Sequence, residues 1–171
     1  MDDLRAIQTC RAGNWEVFRY LVEKYQGRAA GHARAIVGNR EDALDVVQEA
    51  FLDAFQALSG FDAERPFYPW LYAILRNRCF KLLANRKRLA ASSLEEVQAE
   101  ILAPASCLSH EELLSLEQAL LALEPEDREL ITLKHLDGLS YRELAEWLGL
   151  AEGTVMSRLY YARRRLREQL A

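Results

Sequence analysis

Cysteine is scarce in these 171 residues, and what there is excludes a good deal. Cys10, Cys79 and Cys107 are odd in number and far apart, with no C-x-x-C pair, so neither a disulfide framework nor a structural zinc site is expected. Cys107 and His110 have a chelating spacing, but two ligands without two more do not make a metal site. The three histidines, His32, His110 and His135, are dispersed. No glycine-rich phosphate loop is present and the carboxylates fall in solvated helical patterns, so no catalytic constellation and no cofactor are expected. No apolar run approaches membrane-spanning length, and MDDLRAIQTC places acids where a signal peptide would carry cations, so a cytoplasmic chain is expected. Convincing period-two strands are missing as well, which leaves an all-α fold.

Positive charge is not short; it is segregated. The net charge of −4 would argue against a nucleic-acid protein if it were evenly spread. Glu41, Asp42, Asp45, Glu49, Asp53, Asp62 and Glu64 form an acidic block, followed by a basic run from Arg76 to Arg88. Glu95 to Glu129 is acidic with Arg128 as its only cation, and the C-terminus ends in Arg158, Arg163, Arg164, Arg165 and Arg167. Two basic surfaces separated by acidic ones imply two nucleic-acid contacts and a further partner that binds acid.

Helical periodicity organises the chain into two small bundles. Asn14 is an expected N-cap for a helix carrying Trp15, Phe18, Leu21, Val22 and Tyr25 that ends near Gly38. Asn39 caps the next, with Leu44, Val47, Phe51, Ala54, Phe55 and Leu58 as its apolar stripe and Asp45, Gln48, Glu49, Asp53 and Gln56 opposite. Ser59-Gly60 breaks it, and Pro66 and Pro69 mark the loop and first turn of an aromatic-basic helix. That helix interleaves Phe67, Tyr68, Trp70 and Tyr72 with Arg76, Arg78, Lys81, Arg86, Lys87 and Arg88, as a single-strand-binding surface requires. Taken alone it reads equally as an amphipathic core helix with a solvated basic end.

From Leu89 the pattern fades into Ala, Ser, acids and Pro104, a flexible acidic linker over 89–108. Ser109-His110-Glu111-Glu112 has the form of a capping box opening the second bundle, 109–171. Pro125 starts a further helix before a turn at Asp137-Gly138. Ser140-Tyr141-Arg142-Glu143 is a second capping box, and Gly149 stands where a left-handed helix terminator is needed. Val155, Leu159, Ala162 and Leu166 then form one stripe, so Thr154, Ser157, Arg158, Tyr161, Arg164 and Arg165 point elsewhere. Helix, tight turn and a long Arg-rich helix match the helix-turn-helix, whose second helix reads base edges in the major groove. Arg158 is the candidate for bidentate reading of guanine, worth roughly 1–3 kcal/mol of discrimination; the later arginines suit phosphate.

With these motifs in order, the sequence resembles a bacterial RNA polymerase sigma factor of the extracytoplasmic-function (ECF) type, the minimal two-domain members of the sigma-70 family. Asp45-Val46-Val47-Gln48-Glu49-Ala50-Phe51 resembles the family's polymerase-binding helix. Phe67-Tyr68-Pro69-Trp70-Leu71-Tyr72 with Asn77 resembles its promoter-melting, minus-ten-reading segment. Leu139-Ser140-Tyr141-Arg142-Glu143-Leu144-Ala145 and Gly153-Thr154-Val155 with Ser157-Arg158 resemble its minus-thirty-five-reading domain.

The resemblance implies region 2 over 1–88 and region 4 over 109–171. Asp45, Gln48, Glu49 and Asp53 would dock on the clamp helices of the largest subunit of core RNA polymerase. Phe61, the loop from Asp62 to Pro66, Ile74 and Asn77 would capture a base flipped from the non-template strand, with Arg76, Arg78, Lys81, Arg86, Lys87 and Arg88 on the backbone. Extruding a base costs a few kcal/mol and stacking returns about 1–3 kcal/mol, so one captured base roughly balances one opened pair. Promoter DNA, duplex and single-stranded, and an anti-sigma factor are the other implied partners. The competing reading is a helix-turn-helix regulator of duplex operators, which gives no reason for the exposed face of Asp45, Gln48 and Glu49.

Overall fold

The computed structural model describes residues 1–90 and 110–170, and they form eight α-helices. The expected capping residue Ser109, Cys107 and nearly all of the expected linker lie outside the described residues. Helix α1 (Asp3–Arg11) is followed by a 3-10 turn at Trp15–Val17, α2 (Phe18–Val37) and α3 (Arg40–Ala57). A second 3-10 turn at Leu58–Gly60 leads through the loop to α4 (Phe67–Ala90). The C-terminal module comprises α5 (His110–Leu121), α6 (Pro125–His135), α7 (Tyr141–Leu148) and α8 (Glu152–Leu170).

Helix ends fall where side-chain chemistry dictates. Gly38 terminates α2 at φ 89°, donating its N–H to the Arg34 carbonyl at 2.9 Å, a left-handed conformation that costs glycine nothing. Asn39 then caps α3, its Oδ1 accepting from the Asp42 N–H at 2.9 Å. Pro125 occupies the first turn of α6, where its missing N–H is no loss. The capping box of α7 is complete: Ser140 Oγ accepts from the Glu143 N–H at 3.2 Å, and Glu143 Oε2 accepts from the Ser140 N–H at 2.8 Å. Gly149 closes α7 at φ 65°.

The N-terminus differs from expectation. Asn14 makes no side-chain cap; with Gly13 at φ 101° it leads into the 3-10 turn, and the α-helix begins only at Phe18. Before it stands α1, capped by Asp2 Oδ1 on the Arg5 N–H at 2.8 Å and burying Ala6, Ile7 and Cys10. Helix α4 runs two residues past the expected boundary at Arg88.

In the first module α2, α3 and α4 pack on one another around Leu21, Ala33, Ala50, Phe51, Ala54, Leu71 and Leu75. The second closes α8 against α6 and α7 through Val155, Leu159, Ala162, Leu130, Leu133 and Leu144. Each leucine so buried contributes roughly 1.5–3 kcal/mol relative to exposure. The two modules also pack on each other, chiefly α6 on α2, and their buried apolar side chains form one continuous cluster. Polar contacts seal this junction. Arg128, 7 % exposed, donates to the carbonyls of Ala35 at 2.9 Å and Ile36 at 3.0 Å, and to that of Leu121 at 2.8 Å. A guanidinium of one module thus satisfies the last carbonyls of α2 in the other, at the helix end where a cation is favoured. Trp147 of α7 packs against Tyr68 and Tyr72 of α4, with ring centroids 5.9 and 5.1 Å apart and ring planes tilted by 52° and 42°.

Candidate nucleic-acid and polymerase interface

Helix α3 turns one face inward and the other out. Val46, Val47, Ala50 and Ala54 are buried, whereas Asp45, Gln48 and Glu49 are exposed and Asp53 is half-buried. The carboxylates at the edge of that face are engaged. Arg78 of α4 makes a bidentate pair with Asp53, both distances 2.6 Å, and reaches Glu49 at 2.9 Å. Hydrogen bonding to Arg78, which outweighs the effect of burial, holds the Asp53 carboxyl below its ordinary range. Farther along the seam Arg86 pairs with Asp42. Asp45 and Gln48 stand in solvent, so the surface offered to a partner is smaller than the run of acids suggests.

Helix α4 divides its residues among three directions. Ile74, Asn77, Arg78 and Lys81 lie on one stripe by helical spacing, with Asn77 and Lys81 exposed and Ile74 half-buried. Lys87 and Arg88 are exposed near the C-terminal end, and Arg88 donates to Asn85 at 3.1 Å. Leu71, Leu75 and Cys79 face the core, where burial pushes the Cys79 thiol up to about 12. Arg76 faces the second module: its Nε lies 2.6 Å from Glu129 Oε1 and its Nη2 3.1 Å from Oε2. The structure therefore places Asn77, Lys81, Lys87 and Arg88 in solvent and commits Arg76, Arg78 and Arg86 to carboxylates.

The loop before α4 is held from an unexpected direction. Phe61 is buried, its ring edge-on to Phe67 at 5.8 Å and against the half-buried Trp70 at 4.6 Å. Its backbone is anchored by Arg11 of α1, whose guanidinium donates to the Leu58 carbonyl at 3.1 and 2.8 Å and to that of Phe61. Asp62 Oδ1 accepts from the Glu64 N–H at 3.1 Å, shaping the turn. Sequence reading missed Arg11, because the helix that delivers it is signalled only by the capping Asp2 and by three apolar residues, Ala6, Ile7 and Cys10.

In the second module the tight turn after Gly149 delivers α8, whose Val155, Leu159 and Ala162 are sealed inside. Ser157, Arg158, Tyr161 and Arg164 are exposed along its outer side, and Thr154 is half-buried at its start. Arg165, also exposed, is tied to Asp127 of α6 at 2.7 Å, and Arg164 to Glu168 at 3.1 Å. Ser157, Arg158 and Tyr161 are the exposed members of the set in the N-terminal half of α8. No group of three or more metal-ligating side chains is found among the described residues, nor any helix long and apolar enough to cross a membrane.

Comparison with known proteins matches both halves in the same order. Residues 21–89 match sigma-70 region 2 and residues 113–166 match sigma-70 region 4. The ECF RNA polymerase sigma-E factor of Escherichia coli (strain K12) is 35 % identical over 175 residues, covering 95 % of this chain and 91 % of its own. Among solved structures, the sigma factor RpoE in complex with the anti-sigma factor NepR from Bartonella quintana superposes with a TM-score of 0.77 at 28 % identity, covering 90 % of this chain and 96 % of that one. CnrH in complex with the cytosolic domain of CnrY gives 0.71 at 32 % identity, covering 98 % and 96 %. Both halves, their order and their near-complete coverage place this chain in the ECF group of the sigma-70 family of RNA polymerase sigma factors.

Proposed function

We propose that the chain binds core RNA polymerase through the outward face of α3, centred on Asp45, Gln48 and Glu49, and directs it to promoters read at two boxes. The minus-ten box falls to α4 and the loop before it, where Asn77, Ile74 and the Phe61 loop receive a flipped base and Lys81, Lys87 and Arg88 follow the backbone. The minus-thirty-five box falls to α8, through Thr154, Ser157, Arg158, Tyr161 and Arg164. The chain performs no bond chemistry of its own and acts in the cytoplasm, where its polymerase is. The observation that carries this reading is the division of α8: an apolar stripe sealed against α6 and α7, and an exposed Ser157-Arg158-Tyr161 surface beginning one turn after a tight helix-turn-helix junction. An anti-sigma partner is proposed by analogy with RpoE, which is held by NepR.

Distance supplies a condition. Boxes centred some 25 base pairs apart lie about 85 Å apart at 3.4 Å per step, whereas a compact chain of this length has a radius of gyration of about 16 Å. Residues 91–109 can bridge up to about 60 Å when extended. Reading both boxes at once thus requires the modules to separate.

Run-off transcription with purified core polymerase and this protein tests the reading. Specific start sites should appear only when the protein is added. Asp45→Lys with Glu49→Lys should abolish co-purification with polymerase while the circular dichroism spectrum stays helical; undiminished co-purification would remove α3 from the docking role.

A further inference from the structure

Helix α8 carries apolar side chains that its own fold does not use. Its core stripe of Val155, Leu159 and Ala162 is sealed, yet Met156 is 51 % and Tyr160 65 % exposed. Helical spacing sets Met156 and Tyr160 one turn apart on one flank of the outer surface, with Ser157 at its centre and Arg158 on the opposite flank. The Tyr160 ring is braced edge-on by Tyr161, with centroids 5.4 Å apart. Gly153, three positions before Met156, has helical backbone and nothing within 4 Å of where its Cβ would stand. Alanine would favour the helix more. Neither conformation nor packing within the chain therefore calls for glycine there, whereas close approach by an outside surface does.

Position and charge identify that surface. The flank lies in the first half of the second helix of a helix-turn-helix, the part whose side chains reach base edges. Arg158 and Arg164, exposed nearby, suit a polyanion. On the edges that bases present in the major groove, one group is a methyl: the 5-methyl of thymine. Methionine, unbranched and polarisable, can fit its end to so small a target.

We propose that Met156 is a specificity-determining residue of α8 that reads thymine by apolar contact with its 5-methyl group, Tyr160 shielding the contact from water. The inference rests on the assignment of α8 as the minus-thirty-five reader. It adds a discrimination that Arg158 cannot make, since an arginine recognises guanine through hydrogen bonds and the thymine methyl forms none.

The test uses the full-length protein assembled with core RNA polymerase and a duplex promoter located by run-off transcription. Each thymine of the upstream box, on either strand, is replaced singly by deoxyuridine, which lacks only the 5-methyl group, and affinity is measured by competition. At one position the wild-type holoenzyme should bind about fourfold more weakly, the value of one buried methyl group. Met156→Ala should bind the thymine promoter about fourfold more weakly than wild type and be indifferent to the replacement, whereas Met156→Leu should keep the discrimination. Both variants should melt with wild type, because the side chain lies outside the core. A wild type insensitive to every replacement overturns the proposal. So does a Met156→Ala holoenzyme that senses the methyl as strongly as wild type, which would assign the flank to another surface such as the polymerase. Scrambling the upstream box separates the two levels. Binding that falls on scrambling yet ignores the methyl sinks the Met156 contact alone, and binding that scrambling leaves unchanged removes α8 as a reader altogether.

Discussion

Arg11 shows how a single residue far from the expected site can control it. Its guanidinium spans the Leu58 and Phe61 carbonyls and fixes the entry to the loop that precedes α4. Hydrogen bonds from a charged donor are worth about 1.5–3 kcal/mol, so Arg11→Met should cost about 1–2 kcal/mol in denaturant unfolding and weaken promoter opening. Asn77 is the opposite case, an exposed side chain with nothing to stabilise. Asn77→Ala should leave both the melting temperature and polymerase binding unchanged while reducing open-complex formation in a permanganate footprint. Equal loss of binding and opening would contradict the base-pocket role proposed for it. Residue roles were only partly legible in the sequence. Helical spacing places Asn77, Lys81 and Arg158 in solvent, but it cannot say that Arg76, Arg78 and Arg86 find carboxylates, because Glu129, Asp53 and Asp42 come from other helices.

Among the elements, α7 and α8 are those whose boundaries chemistry fixes most firmly. Gly149 adopts φ 65° with nothing within 4 Å of where a Cβ would stand. Any cost of Gly149→Ala is therefore conformational, about 1 kcal/mol for a left-handed alanine. That cost should appear as a lowered melting temperature together with weakened duplex binding, since the turn sets the direction of α8. Equal stability of the two proteins would show that the turn relaxes freely. Caps and stoppers are local, which explains why Asn39, Pro125, Ser140, Gly38 and Gly149 could be read directly from the sequence. Helix α1 escaped because its nine residues bury only Ala6, Ile7 and Cys10, too few for periodicity to stand out from a polar terminus.

At the scale of the molecule, the two modules each follow from their own patterns, whereas their junction follows from neither. Arg128 reads as the one cation of an acidic stretch until the α2 carbonyls it caps are seen. Asp137 reads as a turn residue, yet it holds Arg28 and His32 across the junction. Burial pushes its carboxyl up, but the bond to His32 and the charges of His32 and Arg28 outweigh that, and it lies below the ordinary carboxylate range. A carboxyl with a depressed value contributes stability that is complete above its unfolded-state value near 4 and is lost as pH falls through the lower folded value. The stability gap between wild type and Asp137→Asn should consequently be widest at neutral pH and close below about pH 4 in urea titrations. A gap that widens in acid would reverse the assigned sign.

The packing of Trp147 against Tyr68 and Tyr72 also gives the molecule an optical consequence. Indole emission depends on its surroundings, and this indole lies at the junction with Arg28 5.6 Å from its ring. With Trp15 and Trp70 replaced by phenylalanine, Trp147 becomes the sole tryptophan, and separation of the modules is reported as a red shift in its own fluorescence, without any attached dye.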